Sequence, residues 1–302
     1  MDERAPIPFV KMHGAGNDYL FLDASDRAVR DAVMDRRFRA LVRAVCDRRL
    51  GVGADGVFVL GEDSGGAGRE VRVVNSDGSE GSLCGNGVRC AAVLIAEGCG
   101  RAGRAEVRVR SIGARGVREV RALLLGEGRV RVSMGPAAFD PASVPIVPDR
   151  LRRVKGKWGM PAFRVGGFEL AFVNVGNPHG VIFTTRDLST FDLASHGPEL
   201  ERHPAFPDRM NIHVARVLDR GVVEVRNFER GAGETAACGS GACAVVAAGA
   251  LAGGLADEAE VRMPGGSLAV HWDRSVNELW LTGPTARVCE GRLVPADFVL
   301  DG

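Results

Sequence analysis

Apolar residues recur along the chain with two alternating periods. Short stretches rich in Val, Leu and Phe, bounded by Gly, Pro, Asp and Asn, predict strands at residues 8–12, 20–22, 57–60, 71–74, 107–110, 117–125 and 130–134. A second set is predicted at 168–173, 180–183, 222–227, 260–263, 268–272 and 278–281. Within residues 27–49, Phe38, Leu41, Val42 and Val45 fall at i, i+3, i+4 and i+7, the spacing of one helix face. Gly51 is placed to end that helix. Two further helices, at 87–96 and 241–252, are built from small apolar residues. The Pro- and Ala-containing stretch 135–148 is a candidate crossing between domains.

Alternating strands and helices over 302 residues give an α/β (α+β) class and a prior of two domains. A formal net charge of +1 leaves no basic excess for nucleic acid or an anionic membrane surface. The Arg-rich run at 35–49 is interrupted by Asp35 and Asp47 and reads as a solvated helix face. No apolar run approaches the ~20 residues of a membrane span. The first residues, Met1-Asp2-Glu3-Arg4, lack the apolar core of a secretory signal. Seven cysteines at irregular spacing argue against a disulfide scaffold, and the expected setting is a reducing cytoplasm.

One long-range repeat changes the picture. Cys84-Gly85-Asn86-Gly87 in the first half matches Cys238-Gly239-Ser240-Gly241 in the second. Each copy follows an acid four residues earlier, Glu80 and Glu234, and each opens a small-residue helix. Two such copies suggest duplicated domains. The glycines let backbone approach a ligand closely. Amides of a first helical turn lack internal partners and lie at the positive end of the helix dipole, so a carboxylate can bind there. A thiol at the same place is expected to have a lowered pKa. Two such thiols flanking one α-carbon form an acid and a base for inversion: one removes the proton, the other returns one to the opposite face.

Other cysteine chemistries fit less well. Cys46, Cys99 and Cys289 read as buried packing, and Cys90 and Cys243 as helix core. Zinc prefers Cys pairs two to four residues apart, whereas these follow Cys-x5-Cys and Cys-x4-Cys; no metal is expected. The stretch 231–236 has the glycines of a dinucleotide loop, but Glu234 stands where a pyrophosphate would sit. A pyridoxal enzyme needs a Schiff-base lysine, and only Lys11, Lys155 and Lys157 exist, none in a convincing setting. No cofactor is expected.

Further motifs run in order along the chain: HGAGNDY at 13–19, GVGADG at 51–56, NSDGSEGSLCGNGVRC at 75–90, GNPH at 176–179, Asn211 after Phe206-Pro207, ERGAGETAACGSG at 229–241, PGG at 264–266 and TGP at 282–284. Together they resemble the diaminopimelate epimerase family. The resemblance implies a pyridoxal-independent enzyme interconverting LL- and meso-diaminopimelate in lysine and cell-wall precursor synthesis. It implies two pseudo-symmetric domains, each a curved sheet around a central helix, with the active site in the cleft between them. The boundaries expected are 1–128, completed by 287–302, and 129–286. A homodimer is expected, with a small-molecule substrate and neither nucleic acid nor membrane as partner.

By position, the resemblance makes Cys84 and Cys238 the catalytic pair, with His179 and Glu229 assisting proton transfer. Gly85-Asn86 and Gly239-Ser240 match the backbone that holds the reacting carboxylate. Asn17, Asn75, Asn177, Asn211, Glu229 and Arg230 match substrate-binding positions. An arginine suits a distal carboxylate, and asparagines serve carboxylate and ammonium alike. Singly, Asn17, Asn177 and Asn211 also read as turn residues, His179 as a structural histidine, and Glu229-Arg230 as a surface ion pair. The sequence departs from the family at Gly56, where some members carry glutamine, and at Arg209-Met210, where many have smaller residues. Residues 151–160 match no family feature. Two rivals stay open: a racemase of another amino acid, such as proline or histidine, and a thiol-based sensor forming a reversible disulfide.

Overall fold

The structure, a computed structural model, describes residues 5–63, 69–81, 84–100, 105–113, 116–140, 142–295 and 298. Ser82 and Leu83 of the motif at 75–90 lie outside them, as do the chain ends at 1–4 and 299–302. The chain forms two compact units, Met1–Val132 with Gly283–Gly302, and Ser133–Thr282.

In the first unit, strand Ile7–Gly14 pairs antiparallel with Asn17–Asp23 and with Ala286–Leu293. Asn17–Asp23 runs parallel to Gly56–Asp63, which pairs antiparallel with Arg69–Asn75. Arg69–Asn75 runs parallel to Ala105–Gly113, followed by Gly116–Gly126 and Arg129–Gly135 in antiparallel order. The sequence places a single helix at 27–49; the structure has two, α1 (Arg27–Met34) and α2 (Phe38–Cys46). Asp35 breaks the run. Its backbone is extended at ψ 136°, and its carboxylate accepts the Arg37 N–H at 2.7 Å, an alternative to helix that Asp readily offers. The predicted face of α2 is buried as expected, through Phe38, Leu41, Val42 and Val45. Gly51 lies against the end of α2: a Cβ there would stand 2.4 Å from the Ala44 carbonyl oxygen.

Helix α3 (Gly85–Gly98) is buried around most of its circumference. It packs on Ile7–Gly14, Asn17–Asp23, Gly56–Asp63, Ala105–Gly113 and Gly116–Gly126, so the sheet wraps around it.

The second unit repeats this plan. Phe168–Asn174 pairs antiparallel with Pro178–Thr184, which runs parallel to Asn211–Asp219. Asn211–Asp219 pairs antiparallel with Val222–Glu229, and that strand runs parallel to Glu258–Met263. Gly266–Asp273 and Glu278–Pro284 complete the antiparallel run. A small hairpin, Arg152–Lys155 with Pro161–Val165, is attached through Phe168–Asn174. Helix α4 (Leu193–Glu201) is capped by Asp192, whose carboxylate accepts the Ser195 N–H. Helix α5 (Gly239–Leu251) is apolar all round and packs on Phe168–Asn174, Pro178–Thr184, Asn211–Asp219, Glu258–Met263 and Gly266–Asp273. Among the described residues, no helix is long and apolar enough to cross a membrane.

The duplication extends to residue register. Tyr19 pairs with Gly56 and Phe58 with Val73 in the first unit; His179 pairs with Asn211 and His213 with Asn227 in the second. The repeated acids share one structural role. Glu80 meets Arg72 at 3.2 Å and Glu234 meets Arg226 at 2.7 Å, each acid pairing with an arginine on a neighbouring strand.

Candidate active site

Cys84 caps α3 with an extended backbone and is half-buried. Gly85 and Asn86 form the first buried turn, whose amides have no partner inside the helix. Gly87 is required there: a Cβ would stand 2.2 Å from the Phe58 ring. Asn86 is fully buried, and its Nδ2 donates to Asn17 Oδ1 at 2.6 Å. Asn17 in turn donates to Asp55 Oδ2 at 3.3 Å. Arg48 bridges Asp55 and Asp18 at 2.8 and 2.7 Å, and Lys11 adds a 3.0 Å ion pair to Asp18. Burial pushes the Asp18 carboxyl up, but hydrogen bonds and charge from Arg48 and Lys11 outweigh it and hold it below the usual carboxylate value. Asn17 thus sits between a charged cluster and the first turn of α3. Asn75 is exposed, with its amide on Ser79 Oγ at 2.9 Å.

Gly56 explains one departure from the family pattern. A Cβ there would lie 2.5 Å from the Val74 carbonyl oxygen, so this backbone leaves no room for glutamine.

Cys238 caps α5 and is buried, 4% exposed. The Gly241 N–H donates to its Sγ at 3.4 Å, and Ser240 Oγ lies 3.7 Å away. The helix terminus is expected to lower this thiol's pKa; the structure reverses the direction. Burial pushes the thiol well above its ordinary value, and the neighbouring Glu229 carboxylate, which accepts its hydrogen bond, pushes it further. The Gly241 amide and Ser240 hydroxyl pull the other way without prevailing. Glu229 is itself held by the Thr235 hydroxyl at 2.5 Å. The arrangement is a protonated thiol beside a carboxylate able to take its proton.

Around that pair the structure gathers Asn177, His179, Asn211 and Arg230. The two rings of His179 and His213 are fully buried, with Nδ1 of the first 2.8 Å from Nε2 of the second. His179 Nε2 lies 2.8 Å from Asn177 Oδ1, and His213 Nδ1 lies 2.8 Å from Asn227 Oδ1. Burial pushes the His213 pKa down to about 4. Asn211, 3% exposed, donates to the Pro178 carbonyl at 3.0 Å and accepts the Arg230 N–H at 3.0 Å. Arg230 is half-buried and donates to the Asp208 carbonyl at 2.8 Å. The buried Glu201 accepts the Gly231 N–H at 3.3 Å and an Arg209 N–H at 3.4 Å, which ties together the two loops that carry Asn211 and Arg230. Arg209 adopts a left-handed φ of 59° in this loop.

The sequence reading passed over His213, Asn227, Thr235 and Met263. Only the alternation of Asn211 and His213 on one strand face hinted at the second histidine. Two further corrections concern cysteines. Cys99 stands at the C-cap of α3 and Cys289 on an outer strand, both exposed, so neither is core packing. Cys46, Cys90 and Cys243 are buried as expected.

A helix inside each of two wrapped sheets is a fold shared with solved proteins of low sequence identity. A hydroxyproline epimerase from Agrobacterium vitis, solved with trans-4-hydroxy-L-proline, superposes with a TM-score of 0.64 at 15% identity, covering 97% of this chain and 92% of that one. A methylitaconate-delta-isomerase superposes at 0.61 and 14%, covering 99% and 98%; at such identities the likeness is one of fold. The diaminopimelate epimerase family model matches residues 9–139 and 171–288. A diaminopimelate epimerase of Desulforudis audaxviator is 40% identical over 293 residues, spanning 96% of this chain and 100% of that protein. One from Nostoc punctiforme is 37% identical over 290 residues, spanning 95% and 99%. The family model and these relatives make the chain an isomerase of the racemase and epimerase class. Within it, the chain belongs to the diaminopimelate epimerase family.

Proposed function

We propose that this chain interconverts LL- and meso-diaminopimelate, with Cys84 and Cys238 as acid and base on the α-carbon. Family membership over nearly the whole chain carries the substrate, and the Cys238–Glu229 pair carries the chemistry. A thiol pushed upward by burial needs a partner to receive its proton before it can act as a base. Glu229 fills that role for Cys238, while His179 assists proton handling nearby. Gly85-Asn86 and Gly239-Ser240 offer first-turn amides to the carboxylate, where charge builds as the α-proton leaves. Asn17, Asn75, Asn177, Asn211 and Arg230 recognise the rest of the substrate, with Arg230 assigned to the distal carboxylate.

The reaction runs without pyridoxal phosphate in this reading. Lys11 supports that view, because its ammonium is committed to Asp18 at 3.0 Å and to the Gly53 carbonyl at 2.6 Å. The family resemblance supports two epimerase domains, 1–128 with 287–302 and 129–286, in a cytoplasmic homodimer serving lysine and peptidoglycan precursors. A net charge of +1 fits a partner list without nucleic acid.

The deciding experiment offers purified, reduced enzyme LL-diaminopimelate, L-proline and L-histidine separately and resolves the stereoisomers by chiral chromatography. Meso-diaminopimelate alone should appear. Racemised proline or histidine without it would assign the chain to another substrate.

A further inference from the structure

The duplicated fold supplies its own control for the buried histidine pair. Tyr19 and Phe58 occupy the register positions of His179 and His213, and Val73 occupies that of Asn227. The ring spacing is alike, with centroids 4.8 Å apart for Tyr19–Phe58 and 5.0 Å apart for His179–His213, while the interplanar angle differs, 72° against 39°. Each inner ring also abuts the first turn of its central helix. A Cβ on Gly87 would stand 2.2 Å from Phe58, and one on Gly241 would stand 2.2 Å from His213. Packing alone is therefore met by Phe and Val. The second unit has replaced them with two polar side chains, both fully buried, a costly exchange unless their hydrogen bonds are used.

The direction of those bonds follows from one fixed end. Asn227 Nδ2 lies 3.5 Å from Met263 Sδ. A thioether can only accept, so the amide NH2 faces Met263 and Oδ1 faces His213. His213 Nδ1 must then carry a proton, and the neutral ring leaves Nε2 as an acceptor. His179 Nδ1–H donates to it across 2.8 Å. His179 Nε2 is left as the exchangeable position, 2.8 Å from Asn177 Oδ1, an oxygen that can only accept and so pairs with Nε2 when it carries a proton. With its oxygen toward the ring, Asn177 matches protonated His179; with the amide turned over, it matches the neutral ring.

We propose that His213, locked by Asn227, is a positioning residue that fixes His179 in the Nδ1–H tautomer and places the pair's one exchangeable proton at His179 Nε2. Its effect on catalysis rests on the proposed proton-handling role of His179. Its effect on the tautomer does not.

Long-range 1H–15N imidazole spectra of the full-length enzyme, paired with kinetics, test this. Wild type should show protonated Nδ1 on both rings. His213→Phe copies the first unit's residue and should keep the fold. In it His179 should lose the fixed Nδ1–H form, and kcat should fall by about ten- to a hundredfold with KM little changed. His213→Gln, which restores an acceptor, should recover most of that loss. Asn227→Val, the first unit's other residue, should release the His213 tautomer and serves if His213→Phe does not fold. Retention of the His179 Nδ1–H form in both His213→Phe and Asn227→Val would overturn the proposal. Full activity in His179→Gln would instead overturn the role given to His179, while the tautomer spectra still decide whether His213 fixes it.

Discussion

Glu229 accepts the hydrogen of the Cys238 thiol, and this contact adds to the burial that holds the second cysteine as a neutral thiol. At a helix start alone, the thiol would be drawn toward its anion. Buried against a carboxylate, it is held as the neutral acid, and its ionisation becomes a transfer to Glu229. Glu229→Gln should therefore separate two effects. Removing the nearby negative charge lowers the thiol's pKa, so iodoacetamide should label Cys238 at lower pH than in wild type. Removing the proton acceptor should cut kcat by about 10²- to 10³-fold. Unchanged kcat would remove Glu229 from proton transfer.

His213 makes stability depend on mild acid. Its neutral form is favoured in the fold, with a pKa lowered from 6.5 to about 4 by burial. The stability this confers is present above pH 6.5 and is lost as pH falls toward 4, amounting to about 3 kcal/mol in full. Urea midpoints at pH 7 and 4.5 should drop more for wild type than for His213→Phe, which has nothing to titrate there. Equal drops would mean that the ring charges as easily in the fold as outside it.

Gly87 is fixed by contact, because its φ is ordinary while the Phe58 ring fills the space a side chain needs. Gly87→Ala should lower stability by about 1–3 kcal/mol and loosen the turn that Cys84 caps. Phe58→Leu should recover part of the loss by giving the methyl room. Thermal melts of the single and double variants check this, and additive losses would exclude the contact as the cause.

Arg230 distinguishes the two substrate readings. Its guanidinium reaches the Asp208 carbonyl at 2.8 Å and its backbone is pinned by Asn211. If it reads the distal carboxylate, Arg230→Ala should raise KM for diaminopimelate by about tenfold or more, the worth of a charged hydrogen bond. Steady-state kinetics measure it directly. An unchanged KM would assign the distal end to other groups.

Much of the fold is legible in the sequence because alternation reports which strand face is buried. The predicted strands at 57–60 and 71–74 lie inside Gly56–Asp63 and Arg69–Asn75. The repeated Cys-Gly-x-Gly likewise marks the starts of both central helices. What escaped depends on contacts that spacing does not encode. Asp35 ends α1 through its own side chain, although the apolar period continues across it. Helix α4 is short and contains Pro198, so its periodic signal is weak. His213 and Asn227 look like any polar residues on alternating strands until the register sets them face to face. The direction of the Cys238 shift turns on burial and on Glu229, nine residues earlier in sequence and adjacent only in the fold.

In the proposed reaction, two thiols invert the α-carbon. The measurement that reaches it most directly follows the α-proton of LL-diaminopimelate by 1H NMR in D2O, with reduced wild type, Cys84→Ala and Cys238→Ala. Wild type should replace the α-proton with deuterium as the meso isomer accumulates, and neither variant should form meso product. Meso product at the wild-type rate from either variant would rule out two-thiol inversion.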